Sequence, residues 1–143
     1  MGAGHRGRPR QLTTRRPWQR GELAPCHGLL SGLLAVFYLY AGGKKVTQSR
    51  EQLQPMMGWV DTVPMPLVRT IGVLEILGAA GLILPPLTGI ATWLAVAAAI
   101  GLVLVQVGGA ALHLSRGEAR QIGLNIVLLA TAAVTAWLGI AWL

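Results

Sequence analysis

Four stretches of this chain are long enough and apolar enough to cross a lipid bilayer, and that feature removes most alternative folds. They run from about Pro25 to Gly43, Pro66 to Leu84, Thr88 to Leu114 and Gln121 to Leu143. A helix rises 1.5 Å per residue, so roughly 20 residues span a hydrocarbon layer of about 30 Å. A soluble helical bundle would need a polar stripe along each helix. From Ile90 to Val105, however, the third stretch offers only Thr92 and Trp93 as side chains with polar atoms. Charged residues make up 12% of the 143-residue chain, too few to cover a soluble surface of this size. The fold class that follows is all-α: an antiparallel bundle of four transmembrane helices, multi-pass in the cell membrane, with the lipid bilayer as its first partner.

The net charge of +7 belongs mostly to one end. Residues 1–20 hold Arg6, Arg8, Arg10, Arg15, Arg16 and Arg20 and no acid, whereas the rest of the chain is nearly balanced. Arginine mixed with Gly, Pro, Gln and Thr reads as a disordered segment. The domain division is therefore a disordered Arg-rich tail over 1–22 and a membrane domain over 23–143. The tail suits anionic headgroups better than nucleic acid, which is not expected as a partner. Cys26 is the only cysteine, so no bridge can close within one chain.

The punctuation between the stretches gives the connections. Pro85-Pro86 is expected to end the second helix and start a tight hairpin. Ser115 to Glu118 makes a short turn into the fourth. The link from Lys44 to Met65 is long and charged, and Trp59 within it is placed on the headgroups. With four spans, both termini and the Pro85 hairpin share one side, and the two charged links share the other. Positive charge favours the cytoplasm, so the tail arginines place the termini inside.

Polar side chains within the spans are the candidate functional residues, because burying them in lipid is expensive. Glu75 leads, followed by Gln106, His113 and Asn125, with Tyr38 and Tyr40 near the end of the first helix. All of them fall in the half of the bundle nearer the charged links. The expected site is a pocket open to those links, with Glu75 meeting Gln106, His113 or a tyrosine. Plainer roles stand beside this one: an interhelical hydrogen bond for Asn125, a helix-end charge for His113, a tie between helices for Glu75. Arg69, Lys44 and Lys45 are assigned to the headgroups, where long basic side chains snorkel. No metal site is expected, since four close Cys or His ligands are lacking. His27 and His113 fall on opposite membrane faces, which excludes a bis-histidine haem within one subunit. No motif for a covalently or otherwise bound cofactor is recognisable, and neither is a phosphate loop or a nucleophile elbow.

Several of these segments carry a resemblance. AGGKKVTQSREQL from Ala41, GWV from Gly58, RTIGVLEILGAAGLILP from Arg69 and ALHLSRGEARQIGLNIVLLA from Ala111 together resemble the DoxX-like family of small four-helix membrane proteins. The likeness covers about Leu29 to the C-terminus. The Arg-rich tail departs from the family pattern, in which the first helix begins close to the start. The resemblance implies the four-helix fold and, in some members, a small subunit of a quinone-linked oxidoreductase. The implied ligand is thus a quinone and the implied partner a soluble oxidoreductase, with the membrane subunit non-catalytic or dependent on that partner. A non-redox membrane chaperone or small-solute permeation protein is the alternative.

Overall fold

The structure, a computed structural model, describes residues 23–142. The expected disordered tail over 1–22 lies outside the described residues. Helix α1 spans Leu23–Thr47, a short α2 covers Arg50–Leu53, and a single 3-10 turn covers Gly58–Asp61. Three long helices follow: α3 Met65–Thr88, α4 Trp93–Ser115 and α5 Ala119–Trp142. Among the described residues there is no strand. Within α1, α3, α4 and α5 lie four stretches of 22 to 24 residues whose mean hydropathy runs from 1.3 to 2.2. The chain is a multi-pass membrane protein.

Neighbours in sequence pack as neighbours in space: α1 on α3, α3 on α4, α4 on α5. Helix α5 returns to α1 and closes the ring over the least extensive of these contacts. The bundle's core holds Leu34, Ala35 and Tyr38 from α1, Ala79 and Leu82 from α3, Ala99 and Leu102 from α4, and Ala132 and Ala136 from α5. Small residues on every helix let the backbones approach closely, which is what association in lipid rewards. The large apolar side chains point the other way. Leu104 and Trp137 are each 66% exposed, as they should be where the surroundings are hydrocarbon.

The second helix does not stop where the sequence suggests. Pro85 and Pro86 lie inside α3, which continues to Thr88 and ends at Gly89 in the left-handed conformation (φ 68°). Having no N–H, the two prolines cannot donate to the carbonyls four residues back, and the helix runs only two residues beyond them. Gly89 N–H still reaches Pro85 O at 2.9 Å, and Thr88 Oγ1 donates to Leu84 O at 2.9 Å. Only a glycine takes the closing conformation without strain. Consequently α4 begins at Trp93 rather than near Thr88.

The long link is ordered into a lid. Leu53, Val60 and Val63 bury themselves with Val68 of α3 in a second apolar cluster, against which Met57, Trp59, Met65 and Leu112 pack. Trp59 packs against this cluster and is half-buried. Arg50 fastens the lid internally by donating to Val60 O, and to Val63 O at 3.2 Å.

Candidate functional site

Under the lid the helices diverge around a cavity of about 580 Å³. Helix α1 contributes Phe37, Tyr40, Ala41 and Lys45 to its wall; α3 contributes Leu67, Ile71 and Glu75. Helix α4 adds Val105, Gln106, Leu112 and His113, and α5 adds Gln121, Leu124, Asn125 and Leu128. Met56, Met57, Gly58, Trp59 and Val63 of the lid roof it, with Glu118 at the α4–α5 turn. The sequence-selected residues Glu75, Gln106, His113, Asn125 and Tyr40 thus line one space.

Glu75 is held by Lys45. Lys45 Nζ donates to Glu75 Oε1 at 2.8 Å and to Oε2 at 2.6 Å, and Lys45 is only 5% exposed. This corrects two expectations: Lys45 does not reach for the headgroups, and the partner of Glu75 is not Gln106, His113 or a tyrosine. The reason is the close approach of α1 and α3. A Cβ on Gly42 would lie 2.6 Å from Gly72 O, and one on Gly72 would lie 2.8 Å from Gly42 O and from Lys45 Cβ. Both glycines lack that atom, so the backbones touch. The helices are antiparallel, so Lys45 lies beside Gly72 on the lid side and Glu75 beside Gly42 on the deeper side, and the lysine side chain spans the short gap between them. A buried charge requires a partner at this range, because desolvation of either alone costs several kcal/mol.

A second, uncharged chain of contacts crosses the bundle. Asn125 Nδ2 donates to Gln106 Oε1 at 2.9 Å, and Gln106 Nε2 donates to Tyr38 Oη at 2.9 Å. Tyr38 is fully buried and stands behind the cavity wall, where it orients Gln106 rather than facing the space. Gly109 makes room for the chain, since a Cβ there would sit 2.6 Å from Asn125 Nδ2. Asn125 therefore does form the interhelical hydrogen bond expected of it, while Asn125 Oδ1 keeps no protein partner among the described residues.

At the lid end, His113 Nδ1 lies 2.8 Å from Glu118 Oε2, which leaves Nε2 of the ring without a protein partner among the described residues. Glu118 Oε1 accepts from Arg116 Nε at 2.7 Å. Arg116 then clasps the lid, with Nη1 3.2 Å from Asp61 Oδ1 and 2.5 Å from Thr62 Oγ1. The hydrogen bond from His113 and then that from Arg116 hold the Glu118 carboxyl below its ordinary value, and Glu118 in turn raises Arg116. Lys44 stays near the surface, its ammonium 4.8 Å from the Tyr40 ring centroid, and Arg69 is exposed on the first turns of α3.

Sequence reasoning missed Lys45 as a wall residue, the roof residues Met57 and Trp59, and the Glu118–Arg116 link to the lid. The signal for Lys45 was present in the matched spacing Gly42-x-x-Lys45 and Gly72-x-x-Glu75.

Chemically the site is a neutral, mostly apolar chamber. Its buried ion pair is self-compensated, Glu118 at the turn is held by Arg116, and unspent hydrogen-bonding groups sit on Asn125, His113 and the third N–H of Lys45. No curated protein and no solved structure matches the chain. The model of the DoxX-like family matches residues 29–135, from α1 well into α5, so the match takes in all four spans, the lid and the cavity walls. The chain belongs to the DoxX-like family.

Proposed function

We propose that this protein is a small subunit of the cell membrane that works with a quinone-linked or other redox complex, its lidded cavity receiving the quinone headgroup. The observation that carries the reading is the cavity itself. At about 580 Å³ it falls in the size range of small-molecule sites, and like them it joins apolar walls to a few placed polar groups. A quinone head is flat, uncharged and limited to oxygen acceptors. The free N–H of Lys45 is suited to those oxygens, while Phe37, Ile71, Val105 and Leu128 are suited to the ring faces. Bound there, a quinone supplies two-electron chemistry. The chain's own residues orient the head, exclude water beneath the lid, and hold a proton at Lys45 Nζ beside Glu75. Electron transfer from substrate is assigned to a soluble oxidoreductase partner, which makes this subunit partner-dependent.

The alternative of small-solute permeation meets an obstacle in the other half of the bundle. There Leu34, Leu82, Leu102 and Ala132 close the centre, each 2% exposed or less. Affinity purification in a mild detergent, followed by mass spectrometry of proteins and extracted lipids, tests the proposal. Co-purification of a soluble oxidoreductase together with a quinone supports it, and a preparation that carries neither overturns it.

A further inference from the structure

We propose that the cavity is filled from within the bilayer, through a gap between α1 and α5 at the lid end, by an uncharged amphiphile whose single apolar tail remains in that gap. The inference rests on the cavity being a ligand site, and it adds the route and the class of molecule.

The lid shuts the aqueous end. Its apolar cluster is buried, Arg50 holds its own carbonyls, and Arg116 ties Asp61 and Thr62 to the α4–α5 turn. The centre of the bundle is packed, which shuts the opposite end. Around the sides, α1 on α3 is sealed at Gly42 and Gly72, α3 on α4 by Leu112 packed against the cluster that holds Val68 and, deeper, by Gly78 on Leu102, and α4 on α5 at Gly109 and Asn125. The remaining seam, α1 with α5, is the least extensive contact in the ring. Toward the far end the two helices meet through Leu34, Ala35, Ala132 and Ala136. Toward the lid they separate, and the residues that should meet become cavity wall instead. Tyr40 on α1 and Leu124 on α5 both line the cavity, yet they are 57% and 55% exposed on the outer surface. Met56 and Leu67 also line the cavity at 47% and 51% exposed, but in the lid and in the first turn of α3, whereas Tyr40 and Leu124 frame an opening deeper along their helices. Tyr40 lies about 10 Å from the end of α1 and Leu124 about 8 Å from the start of α5, so the opening sits in the hydrocarbon of one leaflet and not in water.

The charge pattern selects the head. Lys45 and Glu75 neutralise each other, and Glu118 is held by Arg116, so a charged head inside the cavity would find no counter-ion; the Lys44 ammonium stands outside the wall, over Tyr40 and toward Met56. An uncharged head with oxygen acceptors finds N–H groups instead. A single tail suits an opening framed by one side chain from each helix, Tyr40 and Leu124.

The route is testable without any quinone. In a Cys26→Ser background, Ile71→Cys places a thiol on the cavity wall of the full chain, reconstituted in nanodiscs so that both faces meet the solution. A decyl maleimide dissolved in the lipid should modify this thiol, and a sulfonated maleimide in the water should not. Leu124→Trp, which fills the mouth, should abolish the lipid-borne reaction. Val105→Cys serves as a second reporter should Ile71→Cys disturb the fold, and unfolded samples confirm that both thiols are reactive. The route is overturned if the sulfonated reagent reacts equally with folded protein, if Leu124→Trp changes nothing, or if neither reagent reacts. Because the readout is thiol labelling, such a failure rejects the route alone, whereas a failure to co-purify a quinone or partner rejects the redox reading alone.

Discussion

Gly42 and Gly72 face each other across the α1–α3 contact so closely that a Cβ on either would come within 2.8 Å of the other's carbonyl oxygen. One turn along each helix stand Lys45 and Glu75, paired at 2.6 Å. The glycines set the distance and the ion pair uses it. Gly72→Ala should force α1 and α3 apart at a cost of about 1–3 kcal/mol, the range for overpacking. Gly43→Ala, one residue from the contact with open space around it, should leave thermal unfolding in detergent unchanged or slightly raised. Equal losses from both changes would show that helix contact at Gly72 is not what matters.

The ion pair should behave as buried pairs do. Lys45→Met leaves the Glu75 carboxylate without its partner and should cost about 3–5 kcal/mol. Lys45→Met combined with Glu75→Leu removes both charges and should recover most of that loss. Thermal melts of the two variants and the wild type decide it. If the double variant is as unstable as the single one, the pair is not the source of the cost.

How far the sequence leads is clear from these residues. The four spans were legible because apolar length is a direct demand of the bilayer. Glu75 was legible because a carboxyl in mid-span has no cheap structural role. Lys45 was not, since it follows Lys44 near a helix end, where snorkelling is the ordinary outcome. Only the approach of α1 to α3 turns it inward. Pro85 misled for a related reason: a proline removes its own N–H bond and crowds the carbonyl four residues back, and α3 tolerates both for the three residues that remain to Thr88. The lid was hidden because Arg116 meets Thr62 across 54 residues of sequence, and no local pattern records such a contact.

The lid should loosen in acid. Glu118 is held below its ordinary value of 4.5 by His113 and Arg116. Its contacts therefore contribute fully above that value and are lost as the pH falls through the lowered one. Hydrogen exchange of lid amides, corrected for intrinsic rates between about pH 7 and about pH 3, should show protection that persists to mid-acid pH and then drops. Glu118→Gln should lower protection at neutral pH and flatten the curve. Parallel curves for the two proteins would remove Glu118 from the latch.

Cys26 near the start of α1 and the lid lie at opposite ends of the bundle, so reporters at the two places must label from opposite sides. If positive charge sets the orientation so that the termini are inside, an impermeant maleimide added to intact cells should miss Cys26 and label Glu51→Cys in a Cys26→Ser background. Detergent-opened cells should label both. Labelling of Cys26 in intact cells would reverse the orientation, and labelling of both would contradict the four-span topology.

The central claim is that the space beneath the lid holds a quinone headgroup, and a binding titration tests it most directly. A short-tailed quinone is titrated into the purified protein in nanodiscs, with heat as the signal. Val105→Trp, which fills the cavity without touching the ion pair or the lid, is titrated beside it. The account predicts saturable binding of one quinone per chain to the wild type and loss of that binding in Val105→Trp, with its melting temperature unchanged. Equal binding by both proteins, or none by the wild type, would contradict it.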